Sequence, residues 1–217
     1  MRTIRRLAAL AATAALAGCG GGLHSDAPAV QAYVLRAAPP AVAPAADALA
    51  SLRLMRPYAS PGLDTDRIML LESDRRLSYY AASRWAAALP DVVESLAVDT
   101  LRASGAWSAV EDSHSSFVAD YYLQITIRRF EADYTEQPAP VVHVSLSCML
   151  GRRADRELIA AFPAEASASA AANHLSSVVA AFQQAADAAL AAAAARAGEA
   201  LRTSPDRSPR APDKPST

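Results

Sequence analysis

Cys19 is the residue of this chain whose chemistry is easiest to read, and it directly follows the small residues Ala17 and Gly18. A cysteine thiol can be acylated, can form a disulfide, or can simply end an apolar segment. The segment before Cys19 starts after Arg5 and Arg6 and holds about a dozen apolar residues. A helix that spans a bilayer needs roughly 20 such residues. A basic start followed by a short apolar run has instead the form of a secretory signal peptide.

The residues that lead into Cys19 resemble the bacterial lipoprotein signal. In such a signal, small residues give a peptidase access to the backbone, and the nucleophilic thiol accepts a lipid. We therefore predict removal of residues 1–18 and lipidation of Cys19; the alternative is an ordinary signal peptide with an incidental cysteine. Gly20 stands where an inner-membrane retention signal has Asp, which predicts an anchor in the outer membrane that faces the periplasm.

Catalytic and metal-binding patterns are scarce. No pair of histidines has a metal-ligand spacing such as H-E-x-x-H, and the G-x-S-x-G pattern is absent. The loop "EDSHSS" holds Glu111, Asp112 and His114, but adjacent loop residues rarely converge on a substrate, so we interpret it as a solvated turn. A triad assembled from distant loops stays open, because triads are recognised by geometry. The sequence indicates no cofactor and no metal. The four histidines are His24, His114, His143 and His174.

The net charge and the number of cysteines argue against a nucleic-acid-binding protein and against a disulfide-stabilised one. Without residues 1–18, 18 basic residues face 22 acidic ones, a formal charge of about −4. This balance argues against a nucleic-acid partner, which requires a basic patch. If Cys19 is lipidated, only Cys148 remains and no intrachain disulfide can form. Cys148 lies in the apolar run "VHVSLSCML", which favours a buried thiol on a strand.

Two helices and a series of strands follow from the apolar periodicity. Leu89, Val93 and Leu96 have helical spacing, with Pro90 suited to a first turn, so we predict a helix from about 90 to 104. A second helix of about 30 residues is predicted from Asn173. The predicted strands lie near 32–36, 51–57, 67–73, 77–80, 107–113, 119–135, 140–153 and 156–170.

The predicted fold class is α+β, a mostly antiparallel sheet with two helices packed on one face. The predicted organisation is a signal peptide (1–18), a lipidated tether (19–30), a single domain (31–202) and a disordered Pro-rich tail (203–217).

A cluster of aromatic residues precedes the first helix. Tyr79, Tyr80, Arg84 and Trp85 are the residue types most enriched at protein interfaces. We predict them as a partner-binding set. The structural alternative is that Trp85 fills the corner between a strand and the helix.

The strings around this cluster resemble the ABC-type transport auxiliary lipoproteins, the family of the paraquat-inducible C lipoprotein. The resemblance covers most of 32–201 and departs in the Ala-rich last helix and the Pro-rich tail. The matching strings are the lipobox at Cys19, "AYVLRA", "DRIMLLES", "LSYYAASRWAAALPDVVESLAVDTL" and "ADYYLQITIRRFEAD".

The resemblance implies a protein that is not an enzyme. Such a lipoprotein sits on the periplasmic face of the outer membrane, held in the leaflet by acyl chains. It works with an MCE-domain protein, part of a lipid conduit fed by an ABC transporter, and a ring of copies is conceivable. Three other functions stay open: an assembly or pilot lipoprotein for an outer-membrane barrel or secretin, a periplasmic hydrolase that uses His114 or His143, and a structural lipoprotein without a partner.

Overall fold

The structure is a computed structural model that describes residues 29–37, 50–135 and 139–203. Cys19, the predicted signal peptide, nearly all of the predicted tether and the Pro-rich tail lie outside the described residues, as does His24.

Nine strands and two helices make up the described part of the chain, in the order β-β-β-β-β-α-β-β-β-β-α. The predicted order is confirmed except for one additional strand of two residues, β3. The strands are β1 (Gln31–Tyr33), β2 (Ser51–Leu54), β3 (Tyr58–Ala59), β4 (Arg67–Leu71), β5 (Leu77–Trp85), β6 (Ala109–Glu111), β7 (Tyr121–Asp133), β8 (Val141–Arg152) and β9 (Leu158–Ser169). The helices are α1 (Leu89–Ala103) and α2 (Leu175–Thr203).

The sheet is organised around β7. One edge of β7 pairs with β8 along its whole length. Along the other edge β7 pairs with β2, then β3, then β4, and all three strands are parallel to it. Beyond β2 lies β6, and beyond β4 lie β5 and then β1. The sheet therefore divides at the second edge of β7 into two branches, one with β2 and β6 and the other with β4, β5 and β1.

The sheet is mixed, so the predicted α+β class is confirmed while its mostly antiparallel character is only partly right. The hairpins β4–β5, β7–β8 and β8–β9 are antiparallel. The short N-terminal strands pair parallel with β7. Parallel pairing needs a long crossover, and α1 lies in the crossover from β2 to β7.

Helix α1 begins with Pro90 in its first turn, where a missing N–H costs nothing. Its apolar stripe, with Val93 and Leu96, is buried. Arg102 lies in the last turn, where a cation interacts favourably with the helix dipole. Gly105 follows with a φ of 66°, a left-handed conformation that ends the helix without strain.

Helix α2 packs along β8 and β9, and it also contacts α1, so both helices cover the same face of the sheet. Its buried stripe combines Val178 and Phe182 with a series of alanines. Alanine side chains let the helix backbone approach the sheet closely. Among the described residues α2 alone is long and apolar enough to cross a membrane, but half of its most apolar window is buried in this packing. We therefore interpret it as a core helix.

The core lies between the sheet and the two helices. Leu123, Ile125 and Ile127 of β7 point inward and are completely buried. A bulge between Ile127 and Arg129 then shifts the alternation, so that Phe130 faces the core in their place. In the described ranges no helix covers the other face of the sheet.

Candidate partner-binding surface

Strand β5 divides the four predicted partner-binding residues between the two faces of the sheet. Side chains alternate along a strand, and Ala82, with a φ of 51°, interrupts the alternation between the two tyrosines and Arg84. Tyr79 and Arg84 are exposed, whereas Tyr80 is half-buried and Trp85 is buried. The predicted set is therefore not one surface.

Trp85 is a core residue, with 1% of its surface exposed. Its ring lies edge-on to Phe182 of α2, at 5.2 Å between centroids, and to Phe130 of β7, at 6.1 Å. Phe130 and Phe182 stack on each other at 5.2 Å. These rings join β5, β7 and α2. The structural alternative placed Trp85 beside the first helix, and its ring contacts extend to the second one. In this conformation it offers no surface to a partner.

Tyr80 also has a packing role. Its hydroxyl lies 2.9 Å from the hydroxyl of Tyr134, which in turn donates to Oδ1 of Asn173 at 2.8 Å. Burial, together with the hydrogen bond to Tyr134, raises the pKa of Tyr80 far above its ordinary value. The phenol is neutral at any physiological pH, and this chain of polar groups joins β5, the end of β7 and the start of α2.

The exposed members of the set have a neighbour that sequence reasoning missed. The guanidinium of Arg67 lies 3.9 Å from the ring centroid of Tyr79, within cation–π range. Arg67 also pairs in register with Arg84 across the β4–β5 hairpin. Two like charges in such a position repel, and Asp66 offsets this by accepting a hydrogen bond from Arg84 Nη1 at 3.4 Å. We call Asp66, Arg67, Tyr79 and Arg84 the Tyr79 surface.

A Ser–His–Asp sequence of contacts crosses three strands near the C-terminal end of β7. Ser167 Oγ lies 2.8 Å from His143 Nδ1, but His143 Nε2 is 3.9 Å from Asp133 Oδ2, which is beyond hydrogen-bond distance. Asp133 is instead bonded by Arg129 at 3.1 Å. This geometry differs from a triad, in which the carboxylate fixes the histidine. The group is better described as a polar network on an open sheet face.

His114 lies in a second polar region beside α1. It lines a depression of about 590 Å³ together with carboxylates that are already paired or hydrogen-bonded. Arg56 binds Asp91 at 2.8 Å, and the buried Glu94 accepts the backbone N–H of Ser113 at 2.7 Å. The contact of Glu94 holds the loop before β7 against α1, and the contact of Arg56 holds the segment between β2 and β3 against the same helix. No group of three or more histidine, cysteine or acidic residues suited to a metal ion occurs in the described part of the chain.

A third feature lies on the helix-free face, at the end of the sheet where β7 begins. It is an open groove of about 490 Å³ with methionines and a leucine on its floor and arginines around it. We call it the arginine groove. Its lining comprises Arg53, Met55, Tyr122, Gln124, Met149, Gly151, Arg152, Arg153, Arg156, Glu157 and Leu158.

The similarity of this chain to a known protein family indicates the kind of function that these surfaces serve. The sequence model of the ABC-type transport auxiliary lipoprotein component matches residues 33–195. The chain belongs to this family. The match covers β5, α1, all of the long strands and most of α2. It confirms the resemblance drawn from the strings around Trp85. No curated protein sequence matches the chain.

Solved structures share the fold of this auxiliary lipoprotein. A protein of the DUF330 family from Xanthomonas campestris aligns with 24% identity and a TM-score of 0.69, over 79% of this chain and 97% of its own. A second, uncharacterised protein aligns with 15% identity and a TM-score of 0.60, over 80% of this chain and 99% of its own. PelC from Paraburkholderia phytofirmans, crystallised as a dodecamer, aligns with 17% identity over 67% of this chain and 90% of its own, with a TM-score of only 0.40.

The family assignment agrees with the geometry of the described residues. The family model describes an auxiliary lipoprotein component of ABC-type transport. The described residues expose two candidate surfaces, the Tyr79 surface and, on the face opposite the two helices, the arginine groove. The groove was missed in the sequence because its arginines and methionines come from two distant segments, around β2 and around the β8–β9 hairpin.

Proposed function

We propose that this protein is a non-enzymatic component of an ABC-type system that moves lipid between membranes, and that it acts by binding an MCE-domain partner. The family match over residues 33–195 is the observation that carries the proposal. Within this proposal, Cys19 carries the acyl chains, which hold the protein on the periplasmic face of the outer membrane.

The binding face that we propose for the partner is the Tyr79 surface. Tyr79 has 47% of its surface exposed, and its ring is held by the guanidinium of Arg67. Tyrosine and arginine supply large contact areas and directional hydrogen bonds, which is why they are enriched at binding hot spots. Tyr79 and Arg84 are exposed, so a partner can reach them without disturbing the core.

The geometry around His143 supports the proposal that this protein is not an enzyme. A histidine that is 3.9 Å from its carboxylate lacks the contact that orients a general base. Its serine, Ser167, is exposed on a sheet face. Arg129, which pairs with both Glu131 and Asp133, gives these carboxylates a structural role.

Photo-crosslinking in cells tests the proposal. A crosslinking residue at position 79 or 84 should capture an MCE-domain protein, identified by mass spectrometry. The matched control is position 184, where Gln184 is exposed on α2, and it should capture the same protein much less. Arg84→Glu should weaken recovery of the partner by about tenfold, the loss expected for one hot-spot contact.

The same experiment separates the alternatives. Capture of an outer-membrane barrel or a secretin, without an MCE protein, would support the assembly lipoprotein and contradict our proposal. Turnover of an ester or peptide substrate that is abolished by His143→Ala would support the hydrolase. A lipid-dependent mass increase that is lost in Cys19→Ser tests the anchor independently of any partner.

A further inference from the structure

The end of the domain at the arginine groove is unusually apolar for a surface. Five of the ten large apolar side chains that are exposed in the described residues lie here, although they belong to different elements. They are Met55, Phe117, Val118, Met149 and Leu158. Contiguous exposed apolar groups of this kind mark a surface that contacts another apolar phase.

The register of the sheet brings these residues to one end. Tyr121, the first residue of β7, pairs with Arg152 at the end of β8. Met55 donates its backbone N–H to the carbonyl oxygen of Leu123, so it lies beside the start of the same strand. Leu158 begins β9, and the loop that carries Phe117 leads directly into β7.

The most exposed of these side chains form a protruding pair. Phe117 and Val118 are consecutive and have 72% and 68% of their surfaces exposed. The loop is held in place by Arg53, whose Nη2 donates to the carbonyl oxygen of Phe117. The Nε of the same arginine is buried and has no hydrogen-bond partner among the described residues. The tip is therefore a fixed feature beside the groove.

Cations surround the apolar groups. The lining of the groove contributes four guanidinium groups against one carboxylate, Glu157, although the whole chain has a formal charge of −1. Arg152 is held by Asp155 and Glu157, at 3.2 Å each. Arg153 and Arg156 are exposed. Asp120 lies close enough to Arg153 for the two charges to interact, so the groove and its border hold four guanidinium groups against three carboxylates, Asp120, Asp155 and Glu157. The end that carries the apolar tip therefore has a small excess of positive charge.

We propose that this end of the domain docks on an anionic lipid surface, with Phe117 and Val118 among the headgroups and acyl chains and the arginines on the phosphates. Exposed apolar side chains combined with arginines are the composition of interfacial membrane contacts. Insertion of the apolar tip and binding of phosphates by the arginines can occur together, because both groups lie at the same end of the domain. The inference uses only the family's lipoprotein character and is independent of the MCE partner.

Fluorescence of the reconstituted full-length protein tests the docking. Phe117→Cys is labelled with an environment-sensitive dye and placed in vesicles of phosphatidylcholine, with or without phosphatidylglycerol. The matched control is Leu77→Cys, because Leu77 is 41% exposed and lies at the opposite end of the sheet. Cys148 is fully buried and does not label. The protein's own anchor is the same in every sample, so only contacts of the domain differ.

The expected result is a blue shift at position 117, with quenching by brominated acyl chains, in the anionic vesicles only. The shift should weaken as salt is added and should fall several-fold in the double variant Arg153→Gln, Arg156→Gln, whose folding is checked by circular dichroism. Equal emission at position 117 with and without phosphatidylglycerol would overturn the inference. An equal blue shift at position 77 would also overturn the inference. A blue shift at position 117 that appears only when other envelope proteins are added would overturn it as well.

Discussion

Arg196 of α2 reaches across β9 and donates a hydrogen bond from Nη1 to the carbonyl oxygen of Pro163, at 3.1 Å. Among the described residues, β9 pairs with β8 alone, so its other edge is open. An open edge of 12 residues with little charge is a template for pairing with another chain. Pro163 removes one N–H from the middle of the strand, and Arg196 covers the carbonyl of the same residue.

We predict that the double variant Pro163→Val, Arg196→Ala aggregates faster than the native protein, because it restores an N–H and exposes a carbonyl on the edge of β9. The free energy of unfolding should change by no more than about 1 kcal/mol, since both positions are near the surface. Light scattering at 37 °C measures the rate. Arg202→Ala, on the same helix, is the control; if it aggregates as fast, the edge is not the cause.

Trp85→Ala should lower the free energy of unfolding by about 3–5 kcal/mol, the cost of removing a large ring from a packed core. Its contacts with Phe130 and Phe182 would be lost together. Chemical denaturation measures the change. The neighbouring Arg84→Ala, at an exposed position, should stay within about 0.5 kcal/mol of the native value. A loss of partner binding in Arg84→Ala without loss of stability would separate the two roles.

The sequence predicted the order of elements well because each element has a local signature. The alternation in β7 and β8, the helical spacing around Val93 and the Ala-rich stripe of α2 are all readable within one segment. The bulge at Arg129 and the short β3 were missed, because neither leaves a periodic pattern. Pairing between distant segments has no local signature, so the parallel contacts of β2, β3 and β4 with β7 could not be predicted.

The candidate surface was harder to predict than the fold. The four predicted residues are close in sequence, but the side chain of Trp85 points into the core. They are Tyr79, Tyr80, Arg84 and Trp85. The missing member, Arg67, is 12 residues from Tyr79 and reaches it only through the β4–β5 register. Strict alternation would have placed Trp85 on the same face as Tyr79 and Arg84 on the other, because the irregularity at Ala82 leaves no pattern in the sequence. A hairpin register would have been needed to find Arg67.

Cys148 should be inert in the folded protein and should report unfolding. Its side chain is completely buried, and burial raises the pKa of its thiol to about 11. In a Cys19→Ser background it is the sole cysteine, so its reaction with a thiol reagent at pH 8 should follow the unfolding rate. Ser147→Cys, one residue away on the outer face, should react at once. Rapid reaction of Cys148 without denaturant would contradict the packing of β8.

Asp133 should make the protein sensitive to acid. Burial on its own would raise its pKa, but the hydrogen bonds from Thr135 and the charges of His143 and Arg129 outweigh it, so the pKa of Asp133 lies below its ordinary value. A carboxyl whose pKa is lower in the folded state stabilises the fold above its unfolded pKa of about 3.9. That contribution is lost as the pH falls through the folded value.

Asp133→Asn should therefore cost about 1–3 kcal/mol at pH 7, because Arg129 loses a charged partner. The variant should also lose part of the decrease in stability seen below about pH 4. Urea denaturation at a series of pH values measures both effects. Asp74→Asn, at an exposed position beside Arg76, is the matched control and should follow the native curve. If the native and Asp133→Asn curves are parallel throughout the acid range, the charge of Asp133 contributes nothing to the acid sensitivity.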